Sequence, residues 1–194
     1  MQTMKKLVIP ALVVAGLAAP LISTQAATYQ MDPQHTSVIV TWNHFGFSHP
    51  TADIPNTRGT IDFDPAHPEQ AKVDVTIPVK EIDTHVPALT REFQNAKYFD
   101  TAKYPQATFR STKVVATGDN HFDVTGDLTL KGITKPVTLH ATLNKQGEQP
   151  MLKKQAVGFD ATGTLNRSDF KIDQYIPAVA DQVTLTLSTE AHAQ

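Results

Sequence analysis

The sequence predicts an all-β chain, an eight-stranded antiparallel β-barrel with a short helical insert between strands 3 and 4. Two observations lead there. Apolar and polar residues alternate with a period of two through five long stretches, and turn-forming residues separate those stretches at hairpin intervals. A third sets the boundary of the fold. The first 26 residues have the pattern of a leader rather than of a core element.

In that leader, Lys5 and Lys6 form a positive start, and Leu7 to Ser23 is apolar but broken by Pro10 and Pro20. Thr24 and Ala26 occupy the −3 and −1 positions of a cleavage site. The reading is a secretory signal peptide over residues 1–26, followed by a single domain over residues 27–194. A membrane anchor fits less well, since two prolines disfavour a helix that barely reaches spanning length. No later apolar run approaches that length, so no stable membrane span is expected after cleavage.

Removing Lys5 and Lys6 from the 17 basic residues leaves 15 against 19 acidic ones, a formal charge of −4 on the mature chain. That charge, without clustered Lys or Arg, argues against a nucleic-acid partner. The absence of cysteine removes disulfides, thiol catalysis and thiolate metal sites. Stability must then come from a hydrophobic core, which a mature chain of this length can supply. An exported, cysteine-free protein with this leader is expected in a bacterial periplasm.

The strands follow in order. Ser37–His44 and Thr60–Asp64 are short candidates. Val73, Val75 and Ile77 alternate with Lys72, Asp74 and Thr76. Between Thr84 and Asp100, Val86, Leu89 and Phe93 recur at helical spacing, with Asp83 or Thr84 as N-cap, which gives the insert. Ala107–Ser111 resumes the strands. Then come Phe122–Leu130, Val137–Leu143, Val157–Leu165 and Val183–Leu187, with Thr on most of the wet faces. Thr117–Asn120 and Lys131–Pro136 read as turns, and Asn144 to Gln155 as a longer loop.

Eight such strands close as a barrel or pack as a sandwich. Closure removes exposed edges and leaves an interior wide enough for one small ligand. Gly126, Ala141, Ala161 and Gly163 are small residues at inward parity, and they are taken to leave room there.

Two blocks, Tyr98-Phe-Asp-Thr-Ala-Lys-Tyr-Pro-Gln-Ala-Thr-Phe109 and Gly126-Asp-Leu-Thr-Leu-Lys-Gly-Ile-Thr-Lys-Pro-Val137, resemble the characteristic motifs of the YceI-like family. Met31-Asp32 leading to His35-Thr36, His44 with Gly46, and Asn166-Arg-Ser-Asp-Phe170 extend the resemblance over essentially the whole mature chain. The resemblance implies a periplasmic, lipocalin-like barrel that binds polyisoprenoids and related lipids. The chain departs from the family pattern at Thr90-Arg-Glu-Phe93, where Asp-x-His-Leu is usual, at Ala52, and at Lys171, where glycine is common.

The apolar interior inferred as lipid-binding comprises Val38, Val40, Trp42, Phe63, Val75, Phe93, Phe99, Phe109, Leu128, Leu139, Phe159 and Leu185. His35 and Arg167 are the polar anchor candidates for a headgroup. Arg167 can fork two donors onto a phosphate or carbonyl, or form an ion pair with Asp169 or Asp32. His35 also reads as a hydrogen-bonded strand-end residue.

Of the eight histidines, no pair has the i, i+4 spacing of a helical metal motif, and no metal ligand is assigned. No nucleophile elbow, phosphate-binding loop or dinucleotide fingerprint occurs, so no catalytic residue is assigned and no cofactor is expected beyond a bound isoprenoid-type lipid. The reading is a binding or carrier protein, not an enzyme, for an elongated apolar lipid: a polyisoprenoid, an isoprenoid quinone or a fatty amide. A ligand-free structural or stress-response barrel is the alternative. A homodimer is left open.

Overall fold

The structure, a computed structural model, describes residues 26–194; the expected signal peptide, residues 1–26, lies outside them except for Ala26. Nine strands follow in the order β1 (Ala27–His44), β2 (Thr51–Asp53), β3 (Arg58–Phe63), β4 (Lys72–Ile77), β5 (Ala107–Gly118), β6 (His121–Leu130), β7 (Ile133–Gln149), β8 (Lys154–Asn166) and β9 (Val179–Ala193). All pairings are antiparallel. Eight strands close into a barrel, because β1 pairs with β3 on one edge and with β9 on the other.

The short β2 is an addition to that ring. It lies beside the second half of β1, pairing Val40 with Ala52, on the edge that β3 uses beside Ala27 to Gln30. Three residues without a period of two give no strand signal, so it was not expected from sequence. The helix α1 (Pro87–Gln94) follows β4, the third strand of the closed ring.

The register explains why the inward set is apolar. Directly opposed residues of neighbouring strands share a face. One belt therefore runs Val40–Leu185–Gly163–Leu139–Val124–Val114 across β1, β9, β8, β7, β6 and β5. The next belt runs Val38–Leu187–Ala161–Ala141–Phe122 across β1, β9, β8, β7 and β6. A slip of one residue would turn a belt into solvent, so these rows fix the pairing.

Several expectations need correction. β1 begins ten residues earlier than expected, because Asp32-Pro33 is carried in a bulge between Met31 and Thr36 rather than breaking the strand. Asp32 organises that bulge: it accepts from the Gln34 N–H (2.9 Å) and pairs with the His35 ring (2.7 Å), while Thr36 donates to its carbonyl (2.7 Å). Residues 144–149 and 154–155, expected as loop, are strand, and only Pro150–Lys153 turns. Their side chains are largely polar because this hairpin extends past the apolar interior.

The turn expected over Lys131–Pro136 is just Lys131-Gly132, both at positive φ (52° and 73°), the two-residue geometry that suits strand twist. The helix begins at Pro87 with no side-chain cap. Thr84 instead bonds Thr90 (2.9 Å), and Asp83 accepts from the His85 N–H (2.8 Å). Pro87 at the first helical position explains this start, since its fixed φ is already helical.

The inference of space from small residues also changes. A methyl group on Gly126 would lie 2.5 Å from the Phe109 ring and from the Arg110 carbonyl oxygen; on Gly163 it would lie 2.8 Å from Leu139. Those glycines admit neighbouring side chains and leave no void. Ala141 and Ala161, by contrast, face open interior.

Candidate functional site

The barrel encloses a cavity of about 650 Å3, within the usual range for ligand pockets. Strand direction fixes its two ends. β1 ends, and β9 starts, at the end that also carries α1, the 45–50 hairpin, the Lys131-Gly132 turn and the 167–178 connection. The opposite end carries both termini of the barrel and the 64–71, 119–120 and 150–153 connections.

Each end has its own aromatic cluster. At the end away from the helix, Phe63, Phe122 and Phe159 form a triad with centroid separations of 5.3–6.5 Å and edge-on geometry. Beneath the helix, Phe93 is the hub: Trp42 lies 5.5 Å away, Tyr98 is stacked at 5.0 Å and Phe99 lies at 5.9 Å. Helical spacing places Leu89, Glu92 and Phe93 toward the cavity, and Val86 at the N-cap joins them, so α1 and its cap roof it with three apolar residues and one carboxylate. The roof is incomplete. Phe45, Val86 and Tyr175 line the cavity and are also 52%, 52% and 64% exposed, which makes them an apolar portal to solvent.

All twelve interior residues inferred from sequence line this cavity. The two polar candidates part company. The structure does not bring His35 to the cavity: its side chain is 63% exposed, and Asp32 is its partner. That hydrogen bond raises the imidazole above its ordinary value and lowers Asp32 below its own. Arg167 does line the cavity, yet it forms neither of the expected ion pairs.

Its guanidinium is buried. It donates to the carbonyls of Ala180 (2.8 Å), Ile172 (2.8 Å), Gln174 (2.9 Å) and Val179 (2.8 Å). Four of the five N–H donors are used this way. Burial pushes the guanidinium below its ordinary pKa, opposed by the nearby charges of Asp181 and Asp173. Asp181 in turn accepts from the Ser168 N–H (2.8 Å) and hydroxyl (2.6 Å). Arg167 is thus a strap that holds the 172–180 segment to the end of β8.

Lys171, where the resemblance calls for glycine, sits just beyond that strap at φ 56°, in the left-handed region that glycine reaches without strain. Its carbonyl receives the Lys131 ammonium (3.0 Å), which ties the β6–β7 turn to the same rim.

Sequence reasoning missed two contributors, Tyr98 and Tyr175, whereas Glu92 is already marked there by its departure from the family pattern. Glu92 and Tyr98 face the cavity under the roof, and Tyr98 is pushed up to about 12 by burial and by the charge and hydrogen bonding of Glu92. Tyr175 forms part of the portal. Helical spacing marks the Glu92 face, but Tyr98 and Tyr175 lie in irregular segments without any period. Among the described residues no group of three His, Cys, Asp or Glu side chains is placed to hold a metal ion.

Comparison with known proteins agrees with this geometry. The model of the YceI-like domain matches residues 29–191. The chain belongs to the YceI-like family. Its YceI relatives include Protein YceI of Escherichia coli O157:H7, 41% identical over 174 residues, with 89% of this chain and 90% of the relative covered. Protein YceI of Salmonella arizonae is 39% identical over the same length. Among solved structures, Burkholderia cenocepacia BcnA superposes with a TM-score of 0.76 at 26% identity, covering 83% of this chain and 99% of BcnA. A polyisoprenoid binding domain from Saccharophagus degradans has the same YceI-type fold, with a TM-score of 0.65 at 12% identity, 88% of this chain and 100% of that one being covered.

Proposed function

We propose that this protein binds one elongated apolar lipid, a polyisoprenoid or a molecule with a comparable tail, inside the barrel and carries it through the periplasm without chemical change. The observation that carries the reading is the cavity itself: about 650 Å3, lined almost throughout by apolar side chains and open at an apolar portal. A fold shared with a polyisoprenoid binding domain supports it. A barrel filled by its own side chains, the structural alternative, does not fit a cavity of this size.

Energetics favour a long tail. At about 30 Å3 per water-sized group, the cavity has room for roughly twenty non-hydrogen atoms. Twenty methylene-like groups give about 16 kcal/mol of gross burial at about 0.8 each. Association costs on the order of 4–15 kcal/mol oppose this. A chain of about twenty carbons therefore binds with net gain, whereas a ten-carbon chain, at about 8 kcal/mol, falls within the range of the cost and binds weakly or not at all.

The sole tryptophan offers a direct test, since Trp42 lines the cavity beside Phe93. Titration with a C20 isoprenol such as geranylgeraniol is expected to change Trp42 emission in a saturable, one-to-one manner. No saturable change with C15, C20 or C25 chains contradicts the function.

A further inference from the structure

The polar groups of the cavity are unevenly placed, and their partners decide which of them a ligand can use. The charged residues lining it are Arg167 and Glu92, with His44 exposed at the rim. Arg167 has four of its donors committed to backbone carbonyls, and the carboxylates of Asp181 and Asp173 act on its charge. Carbonyl oxygens surrounding a guanidinium leave it little capacity to fork onto an incoming anion.

Glu92 is in the opposite situation. It projects from the roofing helix into the cavity, and no ion pair among the described residues includes it. The charges of Glu92 and Arg167 both act on the Tyr98 hydroxyl, that of Glu92 more strongly. The interacting neighbour of Glu92 within the cavity is that hydroxyl. A carboxylate held beside apolar walls is poorly screened, so it repels a second negative charge more strongly than it would in water. Its oxygens have free lone pairs and accept a hydrogen bond readily.

We propose that Glu92 selects the headgroup: the cavity takes an amphiphile whose head donates a hydrogen bond and bears no negative charge, such as an alcohol or a primary amide, and rejects anionic heads. Such a head lies under α1, donating to Glu92, with the tail running toward the Phe63–Phe122–Phe159 triad. This inference rests on the lipid-binding reading above and narrows its ligand class. The hydroxyl of Tyr98 and the amide of Gln174 also line the cavity at this end and are neutral groups able to contact such a head.

The test compares two probes with the same tail, geranylgeraniol and geranylgeranoic acid. They are titrated against Trp42 emission at pH 8, where a carboxylic acid is ionised and an ordinary imidazole is neutral. The wild-type protein is expected to bind the alcohol at least about tenfold more tightly than the acid, and Glu92→Gln to bring the two within about threefold, chiefly by improving the acid. A thermal midpoint for Glu92→Gln close to that of the wild type confirms that the variant is folded. Each ratio is internal to one protein, so it is insensitive to a general change in cavity shape. Equal or tighter binding of the acid by the wild type overturns the proposal, as does a ratio that Glu92→Gln leaves unchanged. Failure of both probes to bind overturns the lipid-binding reading itself, and the headgroup inference falls with it.

Discussion

Replacing Arg167 by methionine removes the strap and keeps most of the side-chain volume. The guanidinium satisfies four carbonyls, those of Ile172, Gln174, Val179 and Ala180, at 2.8–2.9 Å. A buried carbonyl that loses its partner costs about 1–3 kcal/mol, more where the bond was charge-assisted. Four such losses are an upper bound, because the segment lies at the rim and water reaches some of them once it loosens. Methionine also avoids the desolvation that burial imposes on the charge. The expected net loss is about 3–5 kcal/mol, toward the lower end of what four unpaired carbonyls would cost. Urea unfolding followed by far-ultraviolet circular dichroism reads it as a lower midpoint with little change in slope. Arg167→Lys keeps the charge but cannot reach four carbonyls, so it should fall between the two. A loss under about 1 kcal/mol for Arg167→Met, or a lysine variant as stable as the wild type, would refute the strap and return Arg167 to candidacy as a headgroup ligand.

Three further outcomes are expected. Gly126→Ala places a methyl 2.5 Å from both the Phe109 ring and the Arg110 carbonyl, so overpacking should cost about 1–3 kcal/mol in the same unfolding assay; a neutral result would mean that strand β6 has slack the packing does not show. Ala161→Phe sets a ring into the open interior between Leu187 and Ala141, and should weaken geranylgeraniol binding by at least about tenfold while the protein stays folded; unchanged affinity would place the lipid elsewhere. The His35 imidazole, raised above its ordinary 6.5 by Asp32, should titrate above that value by NMR and fall back toward it in Asp32→Asn. The raised pKa means that protonated His35 contributes stability below pH 6.5, lost as the pH rises through the folded value. Asp32, lowered below its ordinary 3.8, contributes above pH 3.8 and loses its share as the pH falls through its own folded value. The pair is therefore strongest between those ordinary values, and an unshifted His35 in the wild type would contradict the bulge geometry.

The barrel was legible because its signal is repeated. Alternation in β6, β7, β8 and β9 puts Phe122, Leu139, Ala161 and Leu185 on one face, and closure then brings those faces together. Strand ends were less legible where pairing, not burial, holds the chain. Residues 144–149 are strand because a long hairpin partner satisfies their backbone, although few of their side chains face a core. Asp32-Pro33 reads as a break and is a bulge, since β1 keeps pairing with β9 on both sides of it.

The site was half legible. The apolar walls follow from parity, but whether a polar residue is available to a ligand depends on its partners, which sequence does not give. Arg167 has the right chemistry for an anion and spends it on carbonyls contributed from residues 172–180. Glu92 marks a departure from the family pattern in sequence, and only its place under the roof gives that departure a chemical meaning.

The claim that the barrel holds one lipid is tested most directly by native mass spectrometry of protein purified without detergent. The account predicts a one-to-one adduct whose released ligand has an isoprenoid or comparable apolar tail of about twenty carbons, and loss of that adduct in Ala161→Phe. A bare protein mass, with no adduct gained when C20 isoprenoids are offered in excess, would contradict it.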